Sequence, residues 1–128
     1  MLHQKHYTLA EARGTLALIR DKLTRLVNLK SSLDEKGYDI YRHVYFGGIG
    51  PNGTGRFPAE MEELVSIVKD FAERGILIKD INRGLIDFPH VRENGEEVYL
   101  CYLHGEESIQ YWHTIDGGFS GRISTDNL

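Results

Sequence analysis

The stretch that decides the fold is residues 79–122, which read KDINRGLIDFPHVRENGEEVYLCYLHGEESIQYWHTIDGGFSGR. Short apolar runs alternate here with polar turns, and the Asn94-Gly95 pair favours a two-residue type I′ hairpin. The pattern therefore predicts an antiparallel β-meander. Its strands are expected at 84–90, 97–104 and 108–115, after another apolar run at 76–79.

The two faces of this sheet can be assigned because side chains alternate along a strand. An even-length loop between the last two strands places Trp112 on the face of Cys101 and His113 on the face of Leu100. Both faces are apolar or aromatic, so neither is expected to face water. Helices can cover only one of them. The other must meet a partner chain, a ligand or the C-terminal segment folding back.

A long helix is predicted before the sheet. Thr8 and Glu11 form a capping-box pattern, and apolar residues then recur at spacings of three and four. This continuous heptad pattern predicts one helix at 8–46, with a break at Gly37 as the alternative.

Glycine and proline dominate 47–57, which is therefore predicted to be a loop. It contains a formal G-x-G-x-x-G match at Gly48, Gly50 and Gly53. A helix precedes this match instead of the strand that a nucleotide-binding loop requires, so a linker is favoured. A second, shorter helix is predicted at 58–74.

These elements predict an α+β protein: a long antiparallel helical hairpin followed by a three- to four-stranded antiparallel β-meander. Residues 1–128 are expected to form one domain, with the helices at 8–46 and 58–74 and the sheet and site block at 76–122. The first helix is much longer than the second, so part of its apolar seam would have no partner within the chain. A homodimer through the helices and the uncovered sheet face is the expected solution.

Charge and hydropathy argue against two classes of ligand. The net charge is −4, and residues 76–128 carry four Lys and Arg against nine Asp and Glu. Nucleic acid is therefore not expected as a ligand. No apolar run approaches the roughly 20 residues that span a bilayer, and the N-terminus lacks a signal-peptide core. With the single Cys101 expected as a buried thiol, these features predict a cytoplasmic protein.

Seven residues are candidates for a binding site: Asp80, Arg83, Asp87, Trp112, His113, Asp116 and Arg122. An imidazole from His113 with carboxylates from Asp87 and Asp116 suits Zn²⁺, Mn²⁺ or Fe²⁺. The alternative is a sheet histidine bonded to a neighbour and carboxylates that accept backbone N–H groups. Trp112 is either the floor of an aromatic pocket or part of the core.

The two arginines have two interpretations of their own. Arg83 and Arg122 each adjoin a glycine, and two guanidinium groups can grip a carboxylate or phosphate of a small ligand. The alternative is internal salt bridges with Asp80, Asp87 or Asp116, which we favour in so acidic a segment.

The C-terminal motifs resemble the uncharacterised prokaryotic domain-of-unknown-function family 2203. Its members begin like YTLAEA and end in a block running V-K-D-x-x-x-G-L-V-D-F-P, V-Y-L-C-W, Y-W-H and G-F-x-G-R. The matching positions are Lys79-Asp80, Gly84 to Pro89, Val98 to Tyr102, Tyr111 to His113 and Gly118 to Arg122. Tyr102 stands where the family often has Trp. The resemblance implies a shared site and supplies no reaction.

Three functions follow as hypotheses. The favoured one is a non-enzymatic, homo-oligomeric assembly or regulatory module, motivated by the heptad seams and the two-sided sheet. The alternative is a small-ligand or divalent-metal site at the C-terminal Asp/His/Arg block. A hydrolase-like enzyme with His113 as base is the third, and no nucleophile motif supports it. A site, where there is one, is expected at the strand ends around Asp87, His113, Asp116 and Arg122.

Overall fold

A computed structural model describes residues 1–50 and 58–128. The helices are α1 (Leu9–Glu35) and α2 (Ala59–Glu73), and the strands are β1 (Leu77–Asp80), β2 (Leu85–Val91), β3 (Glu97–Leu103), β4 (Tyr111–Thr114) and β5 (Ile123–Ser124). This α+β layout confirms the predicted class. Of the helices in the described ranges, none combines the length and the apolar character that a membrane crossing requires. Most of the predicted loop at 47–57, with Gly53 of the glycine motif, lies outside those ranges.

Helix α1 ends eleven residues before the predicted boundary. Its last residue is Glu35, and Gly37 follows in the left-handed conformation with φ +78°. The Tyr38 N–H donates to the Leu33 carbonyl at 2.9 Å, which is the long bond of a Schellman motif. The break at Gly37 is therefore the correct alternative, and one helix over 8–46 is wrong.

The segment after Gly37 explains why the heptad pattern was misleading. It forms two short 3-10 turns, Ile40–Arg42 and Val44–Phe46. Ile40 is buried in the core, whereas Val44 is 70% exposed although it continues the same spacing. The heptad spacing of apolar residues continues past Gly37 by coincidence, since the residues there are no longer part of an α-helix.

The seam of α1 is buried within the chain. Seven of its apolar side chains are at most 1% exposed: Ala12, Leu16, Ile19, Leu23, Leu26, Leu29 and Leu33. The side chains of α2 share the same core, and the polar pair Arg25–Glu63 joins the two helices at 2.6 Å. The expectation that part of the first helix needs a second chain is therefore wrong. The antiparallel hairpin and the homodimer stay predictions.

The sheet is a meander in the order β1-β2-β3-β4-β5, with every neighbouring pair antiparallel. The predicted meander is confirmed, and a fifth strand extends the three or four that the sequence predicted. This fifth strand, Ile123–Ser124, pairs with β4.

The turn between β2 and β3 differs from the predicted type I′ turn. That turn requires positive φ at both central residues, yet only Gly95, at φ +88°, has it. The Arg92 N–H donates to the Glu96 carbonyl at 2.8 Å, so the loop has three residues. This odd count pairs Asp87 with Cys101.

The loop between β3 and β4 also has an odd length. Leu100 pairs with Trp112, and Tyr99 pairs with His113. The predicted partition, with Trp112 beside Cys101, is therefore wrong. Trp112 lies on the face that packs against the helices. His113 lies on the opposite face with Cys101, so the two neighbours do point to opposite faces as expected.

Any residue larger than glycine at position 84 is expected to destabilise the fold. The φ of Gly84 is +68°, and an added Cβ would lie 2.6 Å from the His104 Cβ and 2.9 Å from the Val27 Cγ2. Gly95 has a similar φ of +88° with nothing within 4 Å. Gly84→Ala should therefore lower the free energy of unfolding by about 1–2 kcal/mol more than Gly95→Ala, because it adds overpacking to the same strain. Urea denaturation of the two variants measures this difference, and equal losses would contradict it.

Candidate functional site

Three side chains that can bind a metal meet on the sheet face away from the helices. They are Asp87 from β2, Cys101 from β3 and His113 from β4. One donor atom of each lies within 4.8 Å of the other two. All three residues are buried, at 1%, 0% and 3% exposure. Three neighbouring strands therefore hold a carboxylate, a thiol and an imidazole at one point of the sheet.

The hydrogen bonds of His113 fix its role in this cluster. Its Nδ1 lies 2.7 Å from the Thr114 carbonyl oxygen, and its Nε2 lies 3.1 Å from both carboxylate oxygens of Asp87. A carbonyl oxygen can only accept, so Nδ1 carries a proton. The lone pair of Nε2 then faces a carboxylate, an arrangement that requires a proton or a metal cation between the two groups.

The electrostatics of the cluster favour a shared proton when no ion is bound. Burial lowers the pKa of His113, but the hydrogen bond to Asp87 and the bond to the Thr114 carbonyl together raise it above its usual value of 6.5. Burial, assisted by the negative charge of Asp87, raises the pKa of the Cys101 thiol to about 12. Cys101 is therefore a protonated thiol here and not a nucleophile.

A short N-terminal segment covers the His113 side of the cluster. The Tyr99 ring lies 5.5 Å from the His113 ring, between centroids, and the His3 ring packs edge-on against Tyr99 at 5.3 Å. The Tyr99 hydroxyl also hydrogen-bonds the His3 Nε2 at 2.6 Å. Lys79 places its ammonium 4.7 Å from the centre of the Tyr99 ring. We call residues 1–6 the strap.

One carboxylate anchors the strap. Glu97 accepts hydrogen bonds from the backbone N–H groups of Leu2 at 2.8 Å and His3 at 3.0 Å, and from the His6 Nε2 at 2.6 Å. The bond from His6, followed by the two backbone bonds, lowers the pKa of Glu97 to about 2. Glu97 is therefore a carboxylate throughout the physiological pH range.

The C-terminal segment covers the Cys101 side. Arg122 donates to both carboxylate oxygens of Glu106, at 2.7 and 2.6 Å. Its guanidinium carbon stacks 4.0 Å from the ring centre of Tyr111, the cross-strand neighbour of Cys101, and 4.7 Å from that of Phe119. We call residues 115–122 the flap. The second sheet face is thus covered by the C-terminal segment folding back, one of the three predicted solutions, together with the strap.

The structure brings together only part of the predicted site. Asp87 and His113 meet, whereas Asp116 is exposed in the turn after β4 and lies outside the cluster. Trp112 belongs to the core on the opposite face.

The arginines follow the salt-bridge interpretation. Arg83 pairs with Asp80 at 3.0 Å at the exposed end of the β1–β2 turn. Arg122 also forms an internal pair, but its partner is Glu106 and not one of the three predicted aspartates.

Cys101 is the residue that the sequence-based list of site residues omits. The burial predicted for it is confirmed. Its contact with Asp87 follows from the register of β2 and β3, and a three-residue loop in place of a type I′ turn would have revealed it.

Residues 5–124 of the chain match the model of a family described as "Uncharacterized conserved protein (DUF2203)". The chain belongs to the DUF2203 family. No curated protein and no solved structure matches this DUF2203 chain. Asp87, Cys101 and His113 each lie within one of the motifs that carry the resemblance to DUF2203.

Proposed function

We propose that the protein binds one divalent transition-metal ion, with Zn²⁺ as the preferred ion, through Asp87, Cys101 and His113. The observation that carries this proposal is the convergence of three different donor atoms within 4.8 Å on a buried face. Three protein ligands leave a fourth position for water or a small molecule, which is how catalytic and exchangeable zinc sites are built.

The distances within the cluster fit such an ion. Two ligands at about 2.0 Å from a tetrahedral ion lie about 3.3 Å apart. The His113 Nε2 is 3.1 Å from each carboxylate oxygen of Asp87. The bond from Nδ1 to the Thr114 carbonyl fixes the tautomer that leaves Nε2 free to coordinate, as in many metal sites.

The mixture of donors selects the kind of ion. A soft thiolate from Cys101, an imidazole from His113 and a hard carboxylate from Asp87 suit Zn²⁺ or Fe²⁺ better than Mn²⁺, which prefers oxygen. The Asp87 carboxylate also supplies negative charge in a buried place, and no arginine within residues 1–50 and 58–128 bonds to it. A bound cation would neutralise that charge.

The hydrolase-like alternative has less support. The pair of His113 and Asp87 that it requires does form, but both side chains are almost fully buried. A substrate would have to displace the strap or the flap to reach them. The thiol of Cys101, with its pKa of about 12, supplies no nucleophile at neutral pH.

The homo-oligomeric module expected from the sequence also stays a prediction. The two features that motivated it, an uncovered helical seam and an uncovered sheet face, are both covered within the chain in the described ranges. Light scattering measures the oligomeric state directly.

A cobalt titration tests the metal proposal. Co²⁺ added to the metal-free protein should bind in a 1:1 ratio and produce a near-ultraviolet thiolate-to-cobalt charge-transfer band. Binding at pH 7 should release about two protons per ion, because the Cys101 thiol and the proton held between His113 and Asp87 must both leave. The band measures the thiolate bond, and calorimetry in buffers of different ionisation enthalpy counts the protons.

Two variants give the matched comparison. Cys101→Ser should lose the charge-transfer band, whereas Asp116→Asn should keep it, since Asp116 lies outside the cluster. X-ray absorption of the zinc-loaded wild type should show one sulfur at about 2.3 Å, and this result does not depend on the folding of a variant. A wild-type protein that binds neither Co²⁺ nor Zn²⁺ would refute the proposal.

A further inference from the structure

We propose that the strap, residues 1–6, is the movable cover through which the metal ion enters and leaves the site. This inference rests on the proposed metal centre, and it adds the route and the control of exchange. The three ligands are buried, with the strap on one side of the cluster and the flap on the other. An ion can therefore reach them only when one of the covers opens.

The strap lies on the direct route to His113. Tyr99 is the cross-strand neighbour of His113, and its ring packs against the imidazole. His3 lies against the outer side of Tyr99 and bonds its hydroxyl. When the strap leaves, the Tyr99 hydroxyl loses its hydrogen bond to His3. The Tyr99 ring then becomes free to turn away from the imidazole.

The two covers are attached to the sheet in different ways. The flap lies between β4 and β5, which pair with each other, and one nitrogen of Arg122 donates to both carboxylate oxygens of Glu106. Residues 1–6 belong to no strand, and the strap is held by its hydrogen bonds to Glu97 and by the contact of His3 with Tyr99. A segment outside the sheet opens more readily than one held between paired strands, so the strap opens first.

The strap is attached to the core at Tyr7 and borders a cleft. Tyr7, which follows it, is buried, and its N–H donates to the Pro89 carbonyl at 2.7 Å. Its hydroxyl donates to the Arg74 carbonyl. A cleft of about 330 Å³ lies between the strap and the end of α2. The strap can therefore swing about Tyr7 without disturbing the core.

The experiment measures how fast the full-length, cobalt-loaded protein loses its ion to excess chelator. Glu97→Ala removes the anchor of the strap, whereas Glu96→Ala removes a neighbouring carboxylate that pairs with Arg92 and does not touch the strap. We expect Glu97→Ala to accelerate the loss of the charge-transfer band about tenfold, with the spectrum of the loaded protein unchanged. Glu96→Ala should release the ion at the wild-type rate.

A second variant guards against a folding defect in the first. His6→Ala removes one of the bonds to Glu97 and should give a rate between those of the wild type and Glu97→Ala. Equal rates in the wild type and Glu97→Ala, with the band present in both, would overturn the strap as the cover and leave the metal centre intact. The absence of the band from the wild type would instead overturn the metal centre, and the strap inference with it.

Discussion

Asp87→Asn should lower the free energy of unfolding of the metal-free protein by about 3 kcal/mol at pH 6, because removing one member of a buried ion pair leaves the other without compensation. The Asp87 carboxylate is 1% exposed, and the His113 Nε2 lies 3.1 Å from both of its oxygens. Asparagine keeps the size of the side chain and removes the charge. The decrease in the free energy of unfolding therefore measures the interaction between Asp87 and His113 and not the creation of a cavity.

The pH dependence of this loss follows from the raised pKa of His113. A group whose pKa is higher in the folded state stabilises the protein fully below its unfolded value, here 6.5. This stabilisation disappears as the pH rises through the folded value. The difference between wild type and Asp87→Asn should therefore shrink from pH 6 towards pH 9.

Urea denaturation in the presence of a chelator, repeated across this pH range, measures the difference. Asp116→Asn is the matched control, because Asp116 is exposed and lies outside the cluster. Its effect should stay within about 0.5 kcal/mol at every pH. A loss for Asp87→Asn that does not change with pH would show that His113 is not protonated through this pair.

Arg122→Met should lower the free energy of unfolding by about 2–3 kcal/mol. Methionine retains much of the apolar stem that packs on Tyr111 and Phe119, but Glu106 is left without its cation. The Glu106 side chain is 20% exposed. The loss of stability should therefore be at or below about 3 kcal/mol, the low end of the range for breaking a fully buried ion pair. The flap should also loosen, and a thiol reagent should label Cys101 about tenfold faster in the metal-free variant.

Arg83→Met provides the comparison on the same aromatic ring. Arg83 also stacks on Phe119, at 5.0 Å, but its pair with Asp80 is half exposed. An exposed pair contributes about 0–1 kcal/mol, so this variant should lose little stability and label at the wild-type rate. Similar losses in the two arginine variants would mean that the stacking on Phe119, and not the buried pair, holds the flap.

The first and last residues of the helices could be predicted only where capping residues determine them. Thr8 forms the capping box with Glu11, and Gly75 closes α2 with φ +74°, as the sequence indicated. Gly37 had the same closing chemistry, yet the apolar spacing beyond it favoured a longer helix. A heptad pattern records spacing along the chain, and it does not detect that Val44 has turned towards solvent.

The site could be predicted only in part because its residues meet through register. Asp87 and His113 were identified by their chemistry, but Cys101 joins them only when both connecting loops have an odd number of residues. Asn94-Gly95 favours a two-residue turn, and the energy difference between short turns is small compared with that of burying a whole strand face. Burial of the apolar face therefore determines the register, and the turn adapts to it.

The three-residue loop between β2 and β3 has one residue more than the shortest hairpin that the strands could use. Deleting one residue from it would leave a two-residue connection, which Asn94-Gly95 favours, and Asp87 would still pair with Cys101. A residue lost from within β2 or β3 would instead turn part of that strand over and separate the carboxylate from the thiol. During evolution the loop can therefore change length freely, whereas the two strands beside it cannot.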